Sequence, residues 1–274
     1  MTLAGQGGCE RLAEAFEGAR ADGHRAALMP YLMGGYPSLA DSLAIGQAYA
    51  DSGADVIELG VPFSDPLADG PVIHAAGTAA LAAGATLPGV LEIARALAKS
   101  VPVVVMCYAN VILARGLERF ADELVDAGVS GLIVPDLPLE EGAGVLEACD
   151  QRGLALVPLV APTTPEARLA RIGAQARGFL YTVSLTGTTG ERTGVDAGLR
   201  DVIARSAAHT DVPVAVGFGI GTPEQAAAAA EAGADGVIVG SRLVRAASEA
   251  DDPADAVGRL VSSFSTALSE AGRG

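Results

Sequence analysis

A phrase that recurs three times constrains this chain more than any other feature. Residues 50–60 read ADSGADVIELG, residues 125–136 read VDAGVSGLIVPD and residues 230–241 read AEAGADGVIVGS. In each, a helical end meets a glycine suited to closing a helix, and a short apolar strand follows. A helix-to-strand unit repeated along one chain predicts a succession of βα modules. Eight apolar runs carry the strand pattern: 27–33, 55–60, 102–108, 131–135, 155–160, 178–184, 213–217 and 236–240. Helical patterns lie between most of them, at 38–52, 87–99, 117–127, 141–152 and 223–232. Several runs are almost continuously hydrophobic, as burial of both faces of a parallel sheet requires. Eight alternating units favour a closed (β/α)₈ barrel over an open doubly wound sheet. The length of 274 residues stands close to the roughly 250 typical of that barrel.

The ends add helices. Residues 9–20 form one before the first run. At the other end Asp252 can cap, Pro253 suits a first helical turn, and Val257, Leu260, Val261, Phe264 and Leu268 make one apolar stripe. The expectation is a single barrel domain over 1–274, with an extra N-terminal helix and an additional helix near the C-terminus.

Composition then removes whole classes of function. A net charge of −15 argues against nucleic acid and anionic membrane surfaces as partners. Cys9, Cys107 and Cys149 are odd in number and scattered, with no CxxC pair. They suggest no disulfide framework and a reducing cytoplasm. The start of the chain lacks a basic and apolar leader pattern. The uncharged stretch 70–90 is interrupted by His74, Pro71, Pro88 and glycines, so it does not read as a membrane span.

In such a barrel, chemistry collects on loops after the C-terminal ends of strands. The one lysine, Lys99, ends a helix before the third run, on the opposite face, which excludes Schiff-base chemistry. His24 and His209 also precede strands, and His74 stands alone after the second run, so no metal site is expected. Carboxylates remain. Glu58 lies inside an apolar strand, with Val56 and Gly60 on its face and Ile57 and Leu59 on the other. Facing a dry interior, it would have a raised pKa and could both give and take protons near neutrality. The alternative is a buried ion pair with an arginine brought from elsewhere. Asp65 and Asp69 precede Pro and Gly, so each by itself reads first as ordinary turn chemistry. Asp136 can be a site residue or a cap.

Residues 215–225 read AVGFGIGTPEQ, placing Gly217, Gly219 and Gly221 after the seventh run and a Thr222-Pro223-Glu224-Gln225 helix start behind them. The eighth run ends in Gly240-Ser241 before another helix. Loops after strands seven and eight often bind phosphate, with backbone N–H groups and a helix N-terminus holding the anion. Glycines that merely make tight turns are the alternative. Residues 184–194, SLTGTTGERTG, suggest a lid over substrate or a plain surface loop.

The run IELGVPFSDPLADG at 57–70 resembles the signature of the tryptophan synthase alpha subunit family. LMPYLMGGYP at 28–37, CYAN at 107–110, VPDLPLEE at 134–141, TG at 189–190, GFGI at 217–220 and VGS at 239–241 follow in family order. The resemblance implies a (β/α)₈ barrel that cleaves indole-3-glycerol phosphate into indole and glyceraldehyde 3-phosphate without a cofactor of its own. It implies that Glu58 is the general acid–base and that Asp69 holds the indole N–H. It places Tyr181 beside the glutamate and Thr189 on the lid. Gly190, Gly219, Gly240 and Ser241 match phosphate contacts. Tyr31, Met106, Leu132, Phe218 and Ile73 match the indole pocket. Tyr31 and Met106 stand where some members have Phe and Leu, and both keep the wall apolar.

The resemblance further implies a β subunit that carries pyridoxal phosphate, receives indole through a tunnel and forms an α₂β₂ assembly. Pro62, Phe63, Pro66, Leu67 and Pro71 are candidates for its contact surface. Alternatives are a stand-alone indole-releasing lyase, a phosphate-ester isomerase using a Cys–Asp pair, and an inactive regulatory subunit. For Cys107 the reading is core packing.

Overall fold

A computed structural model describes residues 7–183, 197–217 and 219–273. Nine parallel strand segments run β1 Ala27–Met33, β2 Ile57–Gly60, β3 Val103–Met106, β4 Gly131–Ile133, β5 Ala155–Val157, β6 Leu159–Val160, β7 Leu180–Val183, β8 Val214–Gly217 and β9 Gly236–Val239. Their hydrogen-bonded order is β5-β4-β3-β2-β1-β9-β8-β7-β6. The two ends of that order are halves of one run, expected as the single strand 155–160. Pro158 divides it, since proline has no N–H to give the ladder. The first half pairs with β4 and the second with β7, and the Pro158 carbonyl accepts from the Tyr181 N–H at 3.0 Å. The ring therefore closes through a bend at one proline, and the architecture is the expected (β/α)₈ barrel.

The recurring phrase is explained by the backbone. Gly53, Gly128 and Gly233 adopt φ of 98°, 73° and 108°, a region costly for any residue with a Cβ. Each turns the chain from a helix into the strand that follows. Helix starts are equally local. Ser38 and Thr86 accept from the N–H groups of Asp41 and Gly89, and Thr222 makes a reciprocal capping box with Gln225.

Alternation along the strands divides the core into two shells. Leu28, Leu32, Ile57, Leu59, Val103, Val105, Val237 and Val239 face outward beneath the helices. Ala27, Met29, Val56, Val104, Ala155, Ala215 and Ile238 face inward. Helix Gly8–Ala21 plugs the N-terminal end of that interior with Leu12 and Phe16, the latter 5.8 Å from Phe179 between ring centroids. Arg11 in the same helix donates to the carbonyls of Gly128 and Ala98 at 2.8 and 2.7 Å, where two barrel helices end. Helix Pro253–Ala271 begins on Asp252, whose side chain accepts from the Asp255 N–H. It buries Val257, Val261, Phe264 and Leu268 completely, while Leu260 stays at the edge. With the N-terminal end plugged, the loops after the strands gather at the other end.

Candidate active site

Glu58 sits in register with Tyr31 on β1 and Val104 on β3, on the inward face of β2. It is 2% exposed, and its Oε2 has no hydrogen-bond partner among the described residues. No described arginine pairs with it, so the ion-pair alternative finds no support there. Burial pushes its pKa up to about 8, and the nearby charge of Asp69 adds to the rise. A carboxylic acid in that state holds its proton at neutral pH.

Asp69 lies on the loop between β2 and helix Pro71–Ala82. Burial raises its pKa, while a hydrogen bond from Tyr108 and the charge of His74 pull it back. The Tyr108 hydroxyl donates to Asp69 Oδ1 at 2.9 Å and accepts from the Ala68 N–H at 3.0 Å. Its ring stacks on Phe63 at 5.2 Å. The two carboxyl groups thus have opposite surroundings: Glu58 is buried with its Oε2 unpartnered among the described residues, and Asp69 is partly open and hydrogen-bonded. Such a difference drives two acids toward separate roles.

Two more tyrosines close the interior around them. Tyr31 and Tyr181 are 4% and 5% exposed; burial raises both phenol pKa values, aided at Tyr31 by the charge of Asp69 and then Glu58, and at Tyr181 by that of Glu58. Their rings fit because the adjoining strands end in glycine. A Cβ on Gly60 would stand 2.1 Å from the Tyr31 hydroxyl, and one on Gly217 would stand 2.2 Å from that of Tyr181. Met106 and Ile73 pack with Tyr31 and Met33 at the same end.

Leu132 does not join them. It is in register with Val105 and packs in the outer shell, whereas Ile133 faces inward opposite Met106. The expected pocket position is off by one, and in a strand one residue exchanges the two faces. Thr189, Gly190, Phe218 and the loop 184–194 lie outside the described residues. Cys107 is buried in the outer core. Asp136 caps helix Ala109–Arg115 by accepting from the Ala109 N–H at 2.8 Å.

For an anion, the loops after β8 and β9 lie on adjacent strands. Gly219 has φ of 80°, and a Cβ on Gly240 would lie 3.6 Å from that of Tyr31, beside the pocket. The Gln225 side chain already accepts from the N–H groups of Gly221 and Thr222, at 2.7 and 3.2 Å. The start of helix Pro223–Glu231 is therefore occupied by its own cap. Helix Ser241–Glu249 has no side-chain cap, and the first N–H groups of a helix have no partner within it. Gly240 and Ser241 are the better placed donors. Among the described residues no three His, Cys, Asp or Glu side chains stand together as a metal-binding group.

The family model described as tryptophan synthase alpha chain matches residues 16–271. This chain belongs to that family. The tryptophan synthase alpha chain of Methanosarcina mazei is 45% identical over 95% of each chain, and that of Prochlorococcus marinus is 50% identical over 84% of each. Among solved structures, tryptophan synthase of Mycobacterium tuberculosis superposes with a TM-score of 0.87 at 39% identity, covering 94% of this chain and 98% of that one. The Legionella pneumophila tryptophan synthase alpha chain gives 0.85 at 38%, covering 94% and 97%. A chain of the Pyrococcus furiosus tryptophan synthase α₂β₂ complex gives 0.82 at 35%, covering 87% and 97%.

Within this tryptophan synthase alpha fold, the residue that sequence reasoning missed is Tyr108. Its signal was present. It stands just beyond the C-terminal end of β3, where barrel sites gather their side chains. Counting it as the end of an apolar run hid the hydroxyl.

Proposed function

We propose that this chain catalyses the retro-aldol cleavage of indole-3-glycerol phosphate to indole and glyceraldehyde 3-phosphate. The observation that carries the reading is Glu58, an acid still protonated at neutral pH inside the barrel, set beside a second carboxyl group. Glu58 gives its proton to C3 of the indole, and positive charge develops at the ring nitrogen. Asp69 accepts the ring N–H and stabilises that charge. The Glu58 carboxylate then takes the proton of the neighbouring side-chain hydroxyl. The bond to C3 breaks, its electrons return to the ring, and indole and the aldehyde separate. Neither a metal, a Schiff base nor a cofactor on this chain takes part.

Tyr181 shapes the space around Glu58, and Thr189 on the lid closes toward Asp69. Gly190, Gly219, Gly240 and Ser241 hold the phosphate. Tyr31, Met106, Ile73 and Phe218 line the ring, with Ile133 in the place first expected for Leu132.

The reading takes residues 1–274 as one catalytic unit, cytoplasmic, whose indole passes to a β subunit carrying pyridoxal phosphate within an α₂β₂ assembly. The Pyrococcus furiosus neighbour supports this, as an α₂β₂ complex. So does Leu67, 86% exposed on the rim of the site. Pro62 is buried and Phe63 is stacked on Tyr108, so of the apolar loop residues Leu67 and Pro71 offer the most surface.

Indole release by the purified chain, with and without a β subunit, tests the proposal. Slow release that rises sharply with the partner supports it. Fast release alone indicates a stand-alone lyase, and no release in either condition removes the function.

A further inference from the structure

The Asp69 carboxylate is held before any substrate arrives. Tyr108 leaves β3 in extended backbone as the residue that precedes helix Ala109–Arg115, so its ring swings back toward the loop after β2. Stacking on Phe63 fixes the ring plane, and the side chain is buried. Because the hydroxyl accepts from the Ala68 N–H, its own proton is left to point at Asp69. One phenol therefore ties two consecutive residues of a loop in which Ser64, Asp65, Leu67 and Ala68 are exposed.

The titratable groups acting on this carboxylate come from every side. Glu58 lies on β2, Tyr31 on β1, Tyr108 follows β3, and His74 stands one turn into helix Pro71–Ala82. Tyr31 carries a buried hydroxyl whose one hydrogen bond among the described residues is a 3.9 Å contact to the Met33 sulfur, a poor acceptor. Tyr108 is the group already bonded to Asp69.

We propose that Tyr108 is a positioning residue whose phenol, bonded to Asp69 and to the Ala68 backbone, aims the Asp69 carboxylate at the ring nitrogen of the substrate. The proposal rests on the role given to Asp69 above. It assigns to Tyr108 a function that wall packing alone would not need. A hydrogen bond to a charged group is worth more than one between neutral groups, and it is strengthened where water is excluded.

Tyr108→Phe removes one oxygen and keeps the stack. Turnover should fall at least tenfold, mostly in kcat, with the melting temperature little changed. The acid limb of the pH profile should move to higher pH, because a carboxyl group that has lost its donor holds its proton longer. An independent readout needs no substrate: carbon-13 NMR of the chain labelled at aspartate carboxyl groups, with Asp69→Asn to assign the signal. Asp69 should titrate at higher pH in Tyr108→Phe than in the parent. Unchanged turnover overturns the proposal, whether or not the titration moves. So does an unmoved titration, even if activity falls. Should the parent release no indole with a β subunit, the function fails on its own account. The carboxyl titration then still decides whether Tyr108 governs Asp69.

Discussion

A carboxyl group shut in a dry interior holds its proton far above the range of an exposed glutamate, and the consequences for Glu58 have a definite sign. Unfolded, it releases the proton near pH 4.5, and folded near 8. Between those values the native state binds the extra proton, so this residue makes stability fall as pH rises through that window. In the proposed mechanism the same proton is the one used on substrate. Indole release should therefore decline as pH rises through about 8, measured as kcat/KM, which reports the free enzyme. A profile flat from pH 7 to pH 9.5 would contradict the assignment. Residue identity made Glu58 legible in the sequence, because a lone carboxylate in an apolar strand has few explanations. Leu132 and Ile133 were not separable in that way, since both are apolar and only the ladder register tells which faces inward. Tyr108 needed the loop after β2 folded over it before its hydroxyl had a partner.

Elements carry their own logic, and the C-terminal helix shows it. His24, just before β1, shares one ring nitrogen with Asp55 and the other with Ser265 of helix Pro253–Ala271, both at 3.0 Å. Three segments meet there on the N-terminal face. The hydrogen bond to Asp55 raises the pKa of His24 above its ordinary 6.5, against the opposing effect of burial. The stabilisation is full below the unfolded value and is lost as pH rises through the folded one. His24→Gln should lower the melting temperature more at pH 6 than at pH 8.5. An equal loss at both would show that charge plays no part. The stripe on the same helix acts through packing. Phe264→Ala should cost about 3–5 kcal/mol of unfolding free energy in denaturant titration. A loss below about 1 kcal/mol would mean that the helix is not docked as described. Caps and glycine turns set these boundaries and were readable in the sequence. The break at Pro158 was not, because a proline in an apolar run marks a break only once both neighbouring strands are known.

At the scale of the whole molecule, eight strand-forming runs sufficed to anticipate a closed ring, because parallel strands joined by helices must be covered on both faces. Charge adds a property that no single residue has. The net charge of −15 sets a repulsive field around the site, which opposes the phosphate monoester of the proposed reaction. On the proposed reading, capture depends on short-range backbone donors near Gly219, Gly240 and Ser241, while the approach is opposed. Added salt should raise kcat/KM between about 0.01 and 0.15 M, as screening shortens the reach of that field. A fall over the same range would reveal local attraction strong enough to reverse it. The barrel, the plug at one end and the loops at the other converge on one buried acid. The direct measurement is indole release by Glu58→Gln beside the parent chain, both with a β subunit. The account predicts loss of turnover in a variant that folds, still binds a substrate analogue and melts no lower than the parent at pH 8, since the protonation cost is gone. Normal turnover in that variant would take Glu58 out of the mechanism.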